Sequence, residues 1–145
     1  MGLSRDIAKL RHDFRQLIEE LIKKLDQLVS NGSLAPYRVF ETVRTKEVQE
    51  AYYAQGRKGL EEVNRLRTIA GLWKISEKEN KDTVTQTLKS KHIEGIAIDI
   101  VGWKNNNFSW NMPDDFWKTI AHEAVKMGLS AGYYWQWQDK PHIEL

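Results

Sequence analysis

Ser90-Lys91-His92-Ile93-Glu94-Gly95-Ile96-Ala97-Ile98-Asp99 and the closing Pro141-His142-Ile143-Glu144-Leu145 are the stretches on which the fold turns. The second half of the first stretch reads as a strand. Its alternation puts Ile96, Ile98 and Ile100 on one face and Ala97, Asp99 and Val101 on the other. The isoleucines are expected to fill a core, while small Ala97 leaves room beside Asp99. In the final pentapeptide the same period groups His142 with Glu144 and turns Ile143 and Leu145 the other way. Two core-anchored strands are therefore expected to aim His92, Asp99 and His142 at one point, a firmer support than a loop. Two imidazoles and a carboxylate suit a zinc ion that keeps one coordination position open.

Composition narrows the alternatives. A chain of 145 residues is one domain's worth, and 41% hydrophobic with 29% charged residues is ordinary for a globular protein. With no cysteine, thiolate ligands and disulfides are excluded, so any metal rests on His, Asp or Glu. No apolar run is long enough to cross a bilayer, and the opening MGLSRDIAKLRHDF lacks the apolar block of a secretory signal. A net charge of +2 and the lack of a basic patch interleaved with aromatics argue against nucleic acid as a partner.

Outward from the two stretches, residues 5 to 30 read as one helix, or a short lead-in and then a helix. Phe14, Leu17, Ile18, Leu21, Ile22, Leu25 and Leu28 recur at three- and four-residue steps. Residues 36–44 form a strand candidate. A second helix is expected from Thr45, as its cap, through Tyr53, and a third around Leu60 to Ala70, stopped by Gly71. Ser76 with Glu79 is a capping box or a polar bend in a long polar connection, 71–91, of the kind that walls a cleft. Residues 102–110 read as a turn-rich excursion. A helix opens at Pro113 with Asp114 and Asp115 and closes at Gly128. Residues 132–137 and 142–145 read as strands joined by a turn at 138–141. This order of elements predicts a small α+β domain with a mostly antiparallel sheet, residues 1–37 being its N-terminal helical part and 38–145 its core.

The chemistry of the constellation is hydrolytic. Zinc on His92, Asp99 and His142 would activate water, and a base must take the proton and hand it to the leaving amine. Asp139, three residues before His142, is the better candidate for that base, and Glu144 suits a hydrogen bond to the ring N–H of a ligating histidine. Arg44 is the candidate for holding the negative charge that builds on a substrate carbonyl. Taken alone, Arg44 and Asp139 each read first as a solvated charge or a capping group. His12 and His122 read as helix-surface residues. Trp135 and Trp137 read either as cleft or as core.

Ser90-x-His92-x-x-Gly95-x-Ala97-x-Asp99 resembles the signature of the VanY-like and endolysin-type zinc peptidases, the D-Ala-D-Ala carboxypeptidase group with its hedgehog-like fold. Asp139-x-Pro141-His142-x-Glu144-Leu145 resembles the L-alanyl-D-glutamate peptidase branch. So does Phe40-Glu41-Thr42-Val43-Arg44-Thr45-Lys46-Glu47-Val48-Gln49 followed by Tyr53-Ala54-Gln55-Gly56-Arg57. The likeness spans roughly residues 38 to 145. It departs at Val43-Arg44-Thr45, where such enzymes carry an aromatic residue followed by Arg-Ser.

The resemblance implies zinc on His92, Asp99 and His142, Asp139 as general base, and Arg44 against the substrate carbonyl. Ser90, Gln49, Glu144 and Trp137 are expected around the ligands or on the substrate side. It further implies an endolysin-like, monomeric peptidoglycan hydrolase of a phage or prophage that cuts the L-alanyl-D-glutamate bond of the stem peptide. Such a protein is expected to be made in the host cytoplasm without a signal peptide and to bind the wall through its catalytic cleft and weak electrostatics. The alternatives are a D,D-carboxypeptidase or dipeptidase with the same zinc apparatus and a non-catalytic phage-particle or wall-binding module.

Overall fold

The computed structural model describes residues 3–145. The N-terminal periodicity resolves into a single-turn 3-10 helix, Ile7–Lys9, and then helix α1, His12–Ser30. Phe14, Ile18, Leu21 and Leu25, at helical steps, are fully buried. They meet Ile98 and Ile100 of the central strand, Phe116, Trp117 and Ile120 of a later helix, and Ile143 of the last strand in one core. Tyr37 fastens the first strand to α1 by donating its hydroxyl to Asp26 Oδ1 at 2.6 Å.

Strand β1, Tyr37–Glu41, leads into helix α2, Lys46–Ala54, capped by Thr45, whose hydroxyl accepts from the Val48 N–H. Helix α3, Leu60–Ile69, packs on α2 and ends at Gly71, whose φ of +79° suits the left-handed turn past a helix end. Ser76 and Glu79 exchange hydrogen bonds as a capping box on a short 3-10 turn.

The central strand β2, Ala97–Lys104, runs further than its isoleucine alternation implied. The expected excursion at 102–110 contains a hairpin: Asn105 and Asn106, with φ of +50° and +61°, turn β2 into β3, Asn107–Ser109. Two consecutive left-handed residues match the right-handed twist of paired strands, and asparagine tolerates that conformation. Helix α4, Asp114–Lys126, follows Pro113 as expected. Strand β4 is Ser130–Ala131 and β5 is His142–Glu144.

The strand expected over 132–137 does not form. Gly132–Tyr134 is a 3-10 turn, because the Gly132 carbonyl accepts both the Trp135 and the Asp139 N–H and folds the chain back on itself. The sheet order is β1-β2-β5-β4 with β3 beside β2, and each of these pairs is antiparallel. The α+β class expected from the sequence is borne out. Register then decides what meets: β2 lies between β1 and β5, pairing Asp99 with Glu41 on one side and with His142 on the other.

Candidate metal centre and cleft

Asp99 and His142 are cross-strand partners, so their side chains leave the sheet on the same face. His92 reaches them from a different element. It sits in a turn before β2, not on a strand as expected, and that turn is fixed at four points. The His92 N–H donates to Ser90 Oγ and the Ile96 N–H to the Lys91 carbonyl. The Arg44 N–H donates to the His92 carbonyl, and Gly95 closes the turn with φ of +74°. A turn with those anchors holds its side chain as firmly as a strand would.

Each imidazole is oriented by its outer nitrogen. His92 Nδ1–H donates to the Thr42 carbonyl at 2.7 Å, which leaves Nε2 as the free lone pair. His142 Nε2–H donates to Glu144 Oε1 at 2.8 Å, which leaves Nδ1 free. These outer bonds set the tautomers that metal binding needs. Glu144 is itself steadied by Lys91, 3.2 Å away.

The inner atoms converge on one point. Asp99 Oδ1 lies 3.3 Å from His142 Nδ1 and 3.5 Å from His92 Nε2. All three donor atoms fall within 4.8 Å of one another. His92 Nε2 and Asp99 Oδ1 are buried without a hydrogen-bond partner, a costly state for polar atoms unless an ion joins them. Ligands at zinc distances in a tetrahedron stand about 3.4 Å apart, close to the spacing of Asp99 Oδ1 from each ring nitrogen. The donor set therefore fits zinc, with a carboxylate and two imidazoles in a cysteine-free pocket, and forms a zinc-binding site.

The charges agree with that role. Burial pushes the Asp99 carboxyl up, but the close approach of the His142 and His92 rings prevails and holds it far below the usual carboxylate range. In His142 burial opposes the charged form, yet Asp99 and Glu144 raise the ring to about 9 in the metal-free protein. Asp139 Oδ2 lies 3.9 Å from His142 Nδ1. Burial, and then the neighbouring Asp99 charge, raise its carboxyl above the ordinary value.

Arg44 is buried beside this group. Its Nε and Nη2 form a fork on Glu41 at 2.9 and 2.7 Å, and Nη1 donates to Gln49 Oε1 at 2.7 Å. Tyr52 stacks under the guanidinium at 4.7 Å. Gln49 is fully buried and donates onward to the Thr87 carbonyl at 2.8 Å, tying the arginine to the 84–91 segment.

These side chains open into a cleft of about 1070 Å³, lined also by Ser90, Lys91, Trp110, Trp135 and Trp137. Trp135 and Trp137 both face this cleft, and His12 and His122 lie exposed on helices away from it. Sequence reasoning missed Glu41, Tyr52 and Gly132. Glu41 left a usable signal, an acid three residues before the candidate arginine and directly after the apolar Val39-Phe40 pair. Tyr52 and Gly132 left none, since their roles depend on neighbours distant in the chain.

The family described as Phage L-alanyl-D-glutamate peptidase matches residues 63–144, more than half of the chain. A crystal structure of the L-Ala D-Glu endopeptidase ChiX from Serratia marcescens has a similar fold. The TM-score is 0.55 at 24% identity, covering 99% of this chain and 87% of that one. No relative among curated proteins matches the chain.

Proposed function

We propose how the side chains divide the work, from the premise that this chain belongs to the phage L-alanyl-D-glutamate peptidase family and is a zinc metallopeptidase of that type. The observation that carries the proposal is the convergence of His92 Nε2, Asp99 Oδ1 and His142 Nδ1, two of them otherwise unpartnered, beside Asp139. Zinc held by those atoms supplies a Lewis acid for the scissile carbonyl and brings the pKa of water near neutrality.

Asp139 acts as the general base. Its carboxyl, half-exposed at the cleft, is raised by partial desolvation and by the Asp99 charge, which makes it a better proton acceptor than an unperturbed aspartate. It removes a proton from the attacking water and returns one to the departing D-Glu amine. Arg44 presents its remaining N–H groups to the carbonyl oxygen of L-Ala, where negative charge builds. The Glu41 fork, the Gln49 bond and the Tyr52 face hold the guanidinium in place before substrate arrives. Ser90 supports the backbone of His92 and Glu144 sets the ring of His142. Trp137 lies on the substrate side.

The substrate is the peptidoglycan stem peptide, and we read the protein as a monomer that acts without nucleic acid. Among the described residues no helix is long and apolar enough to cross a membrane. Synthesis in the host cytoplasm and action at the wall are part of the same reading. The N-terminal amphipathic helix gives its apolar face to the core, with Phe14, Ile18, Leu21 and Leu25 all buried.

Mass spectrometry of purified peptidoglycan digested by the zinc-loaded protein, with a chelator-treated control, tests this. Peptides newly beginning with D-Glu, and muropeptides ending at L-Ala, are expected only when zinc is present. Loss of terminal D-Ala alone would move the protein to the carboxypeptidase class. No cleavage of several wall types would leave a module that binds without turnover.

A further inference from the structure

Three indoles on the cleft have no part in the chemistry above. Trp110, Trp135 and Trp137 are 51%, 37% and 78% exposed, and all three line the cleft that holds the zinc site. Trp135 stands with its ring 5.1 Å from that of His142, and its Nε1–H is already given to Ser130 Oγ at 3.1 Å. What it offers a ligand is its face. Trp110 rests edge-on against Phe40 at 4.9 Å. Trp137 has no aromatic partner among the described residues. Large apolar rings left in water around a reacting centre mark a surface that something covers.

The geometry points to a sugar ring of the glycan strand as that occupant, stacked on Trp137 and Trp110 at the rim of the cleft. This rests on the peptidase reading. In peptidoglycan the amine of L-Ala is acylated by the lactyl ether of a muramic acid, so a pyranose is attached one residue from the cut bond. An extended residue covers about 3.3–3.6 Å, which keeps that ring within roughly 10 Å of the reacting carbonyl. A pyranose has an apolar face of C–H groups and a polar rim of hydroxyls, and an exposed indole complements the face while leaving the rim in water. The peptide on the far side of the bond is a poor candidate for the indoles. It carries carboxylates and amines, which suit Thr85, Gln86, Thr87 and Lys89, the polar residues that another segment gives the same cleft. Exposed indoles and polar side chains thus sort the two ends of the substrate, and the enzyme prefers a stem peptide still attached to its glycan.

The test uses the zinc-loaded protein and two readouts. First, glycan strands stripped of all stem peptides are titrated while indole N–H resonances and tryptophan fluorescence are followed. Wild type is expected to shift and saturate, and Trp137→Ala to bind at least about tenfold more weakly. Trp137 is largely in solvent, so this variant folds, and Trp110→Phe provides a second, milder one. Second, KM is measured for a muramoyl stem peptide and for the same peptide without sugar. Wild type is expected to favour the sugar-bearing substrate by about tenfold, and the ratio to fall to within about twofold in Trp137→Ala. No indole response to peptide-free glycan, or a ratio the variant leaves unchanged, overturns the proposal. If neither substrate is cut while glycan still perturbs the indoles, the peptidase reading falls and the sugar wall stands.

Discussion

Replacing Gly132 by alanine adds one carbon where none fits. A Cβ built there lies 2.3 Å from the Asp139 carbonyl oxygen and 3.0 Å from the Asp139 Cβ. Ordinary non-bonded separation is roughly 3.5 Å, so the Asp139 backbone has to retreat by about 1 Å. The same contact includes the Asp139 N–H donated to the Gly132 carbonyl at 2.9 Å, and the His142 N–H donated to the Asp139 carbonyl at 3.1 Å. Displacing Asp139, the proposed base, by that distance is worth about 100-fold in turnover, or about 2.7 kcal/mol of barrier. Overpacking costs a further 1–3 kcal/mol or so of stability. The assay is kcat and KM on a soluble muropeptide at saturating zinc, with zinc content and Tm measured on the same preparation. The expected result is a kcat down by about two orders of magnitude, zinc still stoichiometric, and a Tm lowered by several degrees. A folded Gly132→Ala protein with kcat within about threefold of wild type would refute the claim that this contact sets the position of the base.

Further outcomes follow from the same geometry. Alanine at His92 or His142 is expected to lose zinc and activity together, measured by metal content after dialysis; retention of stoichiometric zinc would remove that residue from the ligand set. Asp139→Asn should keep zinc and lose about 10²–10⁴ of kcat, and activity near wild type would place the base elsewhere. Glu41→Gln leaves the buried Arg44 guanidinium without its counter-charge, so a stability loss of about 3–5 kcal/mol by denaturant titration is expected, with a fall in kcat. In the metal-free protein His142 is raised to about 9 from 6.5, so its protonated form stabilises the fold fully below 6.5 and loses that contribution as pH climbs through 9. Zinc needs the neutral ring, so binding at pH 7 should release about one proton, read by calorimetry in buffers of different ionisation enthalpy; no proton release would contradict the His142–Asp99 coupling.

Local pattern was enough for much of this protein. The step of α1, the Thr45 cap and the Pro113 start of α4 depend on residues within a turn or two, so their physics is complete in the sequence. The same holds for the pairing of Ile98 and Ile100 against Asp99, because strand alternation alone assigns the faces. The zinc ligands were legible too, since a carboxylate in an isoleucine-rich strand demands a partner and the spaced histidines offered one.

What tertiary structure alone decided is how those ligands are held. Thr42 fixes the tautomer of His92 across 50 residues of chain, and Tyr52 lies under the Arg44 guanidinium. The misread segment at 132–137 shows why. Its composition suits a strand, but the Gly132 carbonyl finds the Asp139 N–H and the backbone curls to bring Asp139 beside His142. Residue type and period set which groups are available and which face they take. Which of them come within bonding distance depends on contacts between segments that share no local pattern, and those exist only once the core has closed.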